Sequence, residues 1–331
     1  MKSASPEGEL LVGGQALIEG VMMRSPGAYG IAVRRPDGSL ALRRGKVTPL
    51  GKRYPILKLP VLRGVAVLFQ SLAVGIRALN FSAVEAMPEV EKSGDAAPTP
   101  PTPPDTKASA WAVAGSMAVG LGLGVVFFLL LPLWLTQLAE TWLFGPLSGL
   151  SFNLLDGGLR ALFFLGYIVA ISRMKDIHRV FMYHGAEHKV VFAHEKGGPL
   201  TIETARAQSR LHPRCGTSFL LFVLLVSIFV FALIPKAAPF LVKFGGRLLL
   251  VPLIAGLSYE VLRLTAKRRT NPVFAALVAP GLALQRITTQ EPTDDMLEVA
   301  IVALEEALRE DGLLEEASTE LPFAAAAAAG A

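Results

Sequence analysis

From Ala108 to Ala139 the chain runs for 32 residues without one charged side chain. As a helix rising 1.5 Å per residue, Trp111 to Leu135 alone would cover the ~30 Å hydrocarbon thickness of a bilayer. A surface that apolar and that long predicts a transmembrane helix. Three further runs agree: Leu150 to Met174, interrupted within by Asp156 and Arg160; Gly216 to Pro235, uncharged up to its end; and Leu248 to Tyr259, continued by apolar residues around Glu260 and Arg263. Asp156 and Arg160 stand four apart and can pair on one helix face. With 52% hydrophobic residues in 331, the composition speaks against a wholly water-soluble protein. The expected fold class is a mainly α membrane protein: about four transmembrane helices, a small N-terminal α+β cytoplasmic domain and a C-terminal amphipathic helix.

Excess positive charge marks the cytoplasmic side of a membrane protein. Arg24 to Arg63 carries ten basic residues against Asp37 alone, segment 173–214 and the Lys267-Arg268-Arg269 run are also basic, and Gln137 to Leu155 has neither Lys nor Arg. Both ends and segment 173–214 are therefore expected in the cytoplasm, with Lys236 and Lys243 weighing against that orientation. The opening MKSASPEGELL lacks the apolar core of a signal peptide, in line with a cytoplasmic N-terminus. Cys215 is the sole cysteine, so no internal disulfide forms, which suits a reducing compartment.

The organisation expected along the chain is an N-terminal domain over 1–87, a proline-rich linker over 88–107, a transmembrane region over 108–270, a membrane-proximal and acidic segment over 271–311, and a disordered tail over 312–331. In the first domain, Ile31 to Arg44 alternates apolar and polar residues on both sides of Pro36-Asp37-Gly38, the pattern of a β-hairpin. Val65 to Ile76, bounded by Arg63 and Arg77, is too short to span and reads as an interfacial or re-entrant helix, or as one buried in the domain. Val273 to Leu284, broken by Pro280-Gly281, is likewise too short. Thr293-Asp294-Asp295 opens a helix running to about Asp311, with Met296, Ala300, Leu304 and Leu308 at helical spacing. Glu291 to Glu320 holds eleven acids and one base, Arg309. That acidic arm and the basic N-terminal arm are either solvated faces or dock against each other.

All five histidines fall between His178 and His212. His184-Gly185-Ala186-Glu187-His188 fits H-x-x-E-H, the inverted form of a zinc-binding pattern. On a helix the two imidazoles lie one turn apart on one face, with Glu187 beside them, placed to take a proton from water at an ion. His212 and Cys215 close the same polar segment and add two ligand types that zinc prefers. All four together would make a closed, structural shell; three would leave a position open for water and substrate. Plain hydrogen bonding is the alternative for the motif, and a solvated or interfacial role is expected for His178 and His194. Glu260 has Arg263, Arg160 or the ion as possible partners. Gly120 and Gly124, inside the uncharged run, suit close helix packing and not a nucleotide.

GGQALIEGVMMRSP (Gly13 to Pro26), FMYHGAEHK (Phe181 to Lys189), HPRCGTSFLL (His212 to Leu221), SYEVLR (Ser258 to Arg263) and PGLALQRITTQEPTDDMLEVAI (Pro280 to Ile301) resemble the YqhQ-like family of bacterial membrane proteins, labelled as metal-dependent enzymes. The resemblance implies a multi-pass protein of the bacterial cytoplasmic membrane and draws attention to Gln15, Glu19 and Arg24 as supporting residues, the first two expected on one helix face. The function expected is a metal-dependent, hydrolytic membrane enzyme. Its divalent ion, zinc or similar, would be held by His184 and His188 with His212 or Cys215, and Glu187 would serve as general base. The competing expectation is a non-enzymatic scaffold or transport-associated protein. Membrane lipids and further copies of the chain are the expected partners. Nucleic acid is not, since the basic segment lacks interleaved aromatics.

Overall fold

The computed structural model describes residues 12–87, 107–267 and 271–315. The Pro-rich linker, the side chains of the Lys267-Arg268-Arg269 run and the alanine tail expected from the sequence lie outside the described residues.

The N-terminal residues form a four-stranded antiparallel meander, β1 (Gly13–Leu17), β2 (Gly20–Arg24), β3 (Ala28–Arg34) and β4 (Leu40–Lys46), in the order β1-β2-β3-β4. The expected hairpin is β3–β4, with Gly38 at φ +85° in its loop. The first hairpin corrects an expectation: Gln15 sits on β1 and Glu19 in a two-residue turn at φ +49°, not on a shared helix face. Both faces of the central strands β2 and β3 are covered. Val21, Met23 and Ala32 pack beneath helices on one side, and Leu17, Met22, Ile31 and Val33 on the other. Strands buried on both faces lose the apolar–polar alternation that announces a strand.

A short helix α1 (Leu50–Arg53) leads to α2 (Leu62–Glu85). At 24 residues, α2 is twice the expected Val65 to Ile76, because Arg77 is an exposed residue within the helix and not its end. Its first turns meet a later helix, where a Cβ on Gly64 would lie 2.7 Å from Tyr259. Its second half carries Val74 and Ala78 onto the sheet.

The uncharged run forms α3 (Lys107–Val125) and α4 (Leu131–Ala139), joined by a π-helical stretch over Val126–Leu130 and followed by another over Glu140–Phe144. Pro132 offers no N–H and crowds the carbonyl four residues back, which the wider π turn before it accommodates. Then follow α5 (Gly149–Ile171), α6 (Lys175–Glu195), α7 (Ile202–Arg206), α8 (Gly216–Phe231), α9 (Phe240–Lys267), α10 (Pro272–Thr288) and α11 (Asp294–Glu310). Four stretches are long and apolar enough to cross a membrane: Leu62–Glu85, Ala118–Phe144, Gly149–Ile171 and Phe240–Thr265. Of the spans expected, Gly216 to Pro235 forms a helix of only 16 residues, about 24 Å long, while α2 was not expected to reach spanning length. Gly120 and Gly124 meet nothing within 4 Å of a built Cβ, so the chain does not use them for helix packing among its described residues.

Two ionic clusters tie the helices. Asp156 pairs with Arg160, as its spacing suggests, and also with Arg247 of α9 at 2.7 Å; the Phe231 ring lies 4.7 and 5.0 Å from the two guanidinium carbons. Glu260 accepts from Arg63 Nε at 2.7 Å and from the Val61 backbone N–H at 3.2 Å, so its hydrogen bonds go to α2 and not to Arg263, Arg160 or an ion.

The acidic and basic arms dock. Met296, Ala300, Leu304 and Leu308 are all buried, and α11 lies so close to β3 that a Cβ on Gly30 would be 2.3 Å from the Ala303 carbonyl. Arg34 pairs with Glu298 at 2.6 Å, Arg44 with Glu310 at 3.3 Å, and Gly27 N–H donates to Asp311 at 3.0 Å. Apolar burial holds this interface and the ion pairs rim it. Arg44→Ala should therefore lower stability by no more than about 1 kcal/mol, a loss that shrinks further in high salt. Denaturant midpoints at two salt concentrations check this.

Candidate metal centre

The H-x-x-E-H stretch lies in the middle of α6, where His184, Glu187 and His188 share a face. The two imidazole rings are 4.5 Å apart. Cys215 comes to them from the start of α8, which it caps by accepting from the Thr217 backbone N–H at 3.4 Å. Its sulfur thus sits at the positive end of the helix dipole, where negative charge is stabilised. His184 Nε2 is 3.1 Å from Cys215 Sγ, and the three ligand atoms of His184, His188 and Cys215 lie within 4.8 Å of one another. In a tetrahedral zinc site, bonds of ~2.0–2.3 Å set ligand atoms about 3.3–3.6 Å apart. Small rotations of these side chains close the difference.

Each histidine has its second nitrogen fixed. His184 Nδ1 is 2.8 Å from the Thr288 carbonyl at the end of α10, and His188 Nδ1 is 2.5 Å from the Arg210 carbonyl. A carbonyl only accepts, so each Nδ1 carries the proton and each Nε2 keeps its lone pair, the arrangement usual for metal-ligating histidines. His188 is buried, its pKa pushed down by that burial and raised in part by the Cys215 thiol beside it, and its Nε2 makes no well-formed hydrogen bond among the described residues. A buried ring nitrogen without such a bond, facing a second imidazole and a thiol, fits a soft or borderline divalent cation.

Glu187 completes the face. Its Oε2 is 3.6 Å from His188 Nε2 and 3.9 Å from His184 Nε2. Burial raises its pKa, opposed in part by His184, His212 and the Gly14 backbone N–H. Gly14 is indispensable here, since a Cβ would lie 2.7 Å from Glu187 Cγ. These residues line a cavity of about 370 Å³, walled by β1, α6 and the start of α8, with Gln15 at its rim and Val180, Phe181 and Leu220 as its apolar wall.

Other expected residues stand differently. His212 is buried with its ring 5.7 Å from that of His188, but its Nε2 is 3.3 Å from Glu195 and its Nδ1 accepts from the Arg214 N–H at 3.3 Å. It borders the cavity outside the three-residue cluster. Glu19 lies away from it, pairing with Arg179 Nε at 2.6 Å and accepting from the Tyr183 hydroxyl at 3.3 Å, which pins the β1–β2 turn to α6. Arg24 donates to Ser71 of α2 at 2.8 Å and Glu260 belongs to the Arg63 pair, so both are structural. His178 is exposed, and His194 is half-buried with its pKa lowered by burial. The sequence reading missed Gln285, whose fully buried amide clamps His212 by accepting from its N–H at 2.7 Å and donating to its carbonyl at 2.8 Å. No local signal marks a partner 73 positions away.

A family described as "Protein of unknown function (DUF1385)" matches residues 59–310. The chain belongs to the DUF1385 family. It is also 38% identical over 321 residues to the "Uncharacterized protein YqhQ" of Bacillus subtilis (strain 168), covering 92% of this chain and 94% of that protein. No solved structure matches. The DUF1385 match takes in α6, Cys215 and α11 but begins after the sheet, so Gly14 and Gln15 lie outside it while the B. subtilis relative spans nearly the whole chain.

Proposed function

We propose that this DUF1385 protein is a membrane-integral, metal-dependent hydrolase with one divalent ion, zinc by its donor set, held by His184, His188 and Cys215. The observation that carries the reading is the convergence of buried His188, a second imidazole and a thiol within 4.8 Å of one another, on the wall of a cavity that also holds a buried carboxylate. Three protein ligands rather than four leave room for chemistry. His212 lies outside the three-residue cluster, its Nε2 3.3 Å from Glu195 and its Nδ1 accepting from the Arg214 N–H, which supports the open arrangement.

A bound ion supplies Lewis acidity, polarising a carbonyl or phosphoryl oxygen and making water acidic near neutral pH. The chain's own residues do the rest. Glu187, kept from bulk solvent and with its proton affinity raised, accepts the proton of a cavity water and returns it to the leaving group. The Thr288 and Arg210 carbonyls hold both imidazoles in the ligating tautomer. The apolar wall limits water to the polar end.

Apolar stretches of spanning length support membrane insertion. Because α6 also packs on β1 and α11, the three such stretches ahead of it do not all cross. Leu62–Glu85, whose Val74 and Ala78 lie on the sheet, is the one that stays with the sheet. Because β1–β4 and α11 form one body, the chain between them crosses an even number of times and both ends face one side. The positive residues around them make it the cytoplasm. A green fluorescent protein fused after residue 315 is expected to fluoresce, and alkaline phosphatase fused there to be inactive.

The site is tested without a known substrate by replacing the metal with cobalt(II) and recording its visible spectrum. Azide is expected to change the spectrum of the wild type and of His212→Ala. Glu187→Gln should retain the metal yet fail to support the cellular function of the gene. A spectrum indifferent to azide, together with metal loss in His212→Ala, would mean a closed structural shell and favour a scaffold.

A further inference from the structure

A second cavity, of about 400 Å³, runs along α8. Its wall is apolar, formed by Leu220, Val223, Leu224 and Phe231 of α8 with Tyr167 and Ile168 of α5, and it is closed behind by Ile254 of α9. Leu220 lines this groove and the candidate metal centre alike. From Cys215 the same helix therefore leads in about a turn and a half, past Thr217 on the first cavity's wall, to the apolar groove. Arg160 is the one charged residue on the wall, and its guanidinium is engaged by Asp156, Ser227 and the Phe231 ring.

The dimensions favour one occupant. Leu220 to Phe231 is 12 residues, about 16 Å from first to last along a helix, roughly half the ~30 Å thickness of a bilayer's hydrocarbon. That is the depth of one leaflet. The groove's floor is recessed, with Ile168, Leu224 and Phe231 buried, while Tyr167, Val251 and Leu220, where it meets the metal centre, stand exposed at its edges. A polar or peptide ligand would bury unpaired hydrogen-bonding groups there; a hydrocarbon chain would not.

We propose that the substrate is an acyl lipid whose chain lies in this groove and whose polar end, carrying the ester or phosphoester to be cleaved, reaches His184, His188, Cys215 and Glu187. Hydrolysis adds water across that bond, the hydroxyl going to the acyl or phosphoryl centre and the proton to the departing oxygen. The proposal rests on the metal-site reading above, and its failure is separable from the failure of that reading.

The experiment uses full-length, cobalt-substituted protein in detergent. It is titrated with a long-chain phosphatidylglycerol carrying a photoactivatable diazirine at mid-chain. The lipid is expected to alter the cobalt spectrum and, on irradiation, to label residues 220–231. Val251→Trp, which fills the groove from its exposed rim, should raise the lipid concentration needed by about tenfold, equivalent to about 1.4 kcal/mol, and leave the azide response unchanged. Val223→Trp is a second variant should the first not fold. A lipid that leaves the cobalt spectrum unchanged while azide still alters it overturns the proposal and spares the metal centre. Labelling spread evenly over the exposed faces of α3, α5 and α9, or crosslinks between two copies of the chain through the groove, overturns it too. Failure to bind cobalt would instead overturn the metal reading.

Discussion

Asp156→Ala is expected to destabilise the protein by about 3–5 kcal/mol, the cost typical of stripping a buried ion pair of one partner. Asp156 is 2% exposed and serves both Arg160, 5% exposed, and Arg247, 2% exposed. Without it two guanidiniums share a low-dielectric interior with only Ser227 and the Phe231 ring. Their Nε groups already lack hydrogen-bond partners among the described residues. Arg160→Met alone should cost less, since it leaves one carboxylate facing one guanidinium. Replacing all three residues by apolar ones of similar volume should recover most of the loss. Thermal unfolding in detergent micelles checks the ranking; equal losses for Asp156→Ala and Arg160→Met would contradict it.

Gly185→Ala is expected to damage fold and metal centre together. A Cβ there would lie 2.0 Å from the Gln290 carbonyl oxygen, a contact that only backbone movement can relieve. The moving part would be the strand of chain after α10, because α6 is tied elsewhere by His188 to Arg210. That shift takes the Thr288 carbonyl away from His184 Nδ1, 2.8 Å from it in the native arrangement. Overpacking of this kind costs about 1–3 kcal/mol, and loss of a partner that orients a ligand lowers metal affinity by roughly 10–100-fold. Gly166→Ala, in α5 with nothing within 4 Å of its built Cβ, is the control and should gain up to about 1 kcal/mol. Competition with a chelator measures the affinity.

The parts of this architecture that sequence reveals are those whose signal is local. An uncharged run of spanning length becomes a helix, Met296, Ala300, Leu304 and Leu308 mark the buried face of α11, and H-x-x-E-H brings two imidazoles to one side of α6. Failures occur where tertiary context overrides a local pattern. Strand β2 has both faces covered and β1 is rich in glycine, so GGQALIEGVMMR shows no alternation and its Gln15 and Glu19 invite a helical reading. Arg77 resembles a helix end because it follows an apolar run, yet α2 continues to Glu85. The rest of the site is non-local. Gly14 against Glu187, Gln285 clamping His212, Arg247 on Asp156 and Arg63 on Glu260 join segments 73 to 197 positions apart, and pairing at such separations leaves no periodic trace.

The claim on which the functional account stands is that His184, His188 and Cys215 hold one ion. X-ray absorption at the zinc edge, recorded on purified full-length protein with its metal content, tests it most directly. The account predicts about one zinc per chain, with two imidazole nitrogens and one sulfur in its shell beside one light atom, and with the sulfur gone in Cys215→Ser. Protein that holds no stoichiometric metal, or a shell without sulfur, would contradict it.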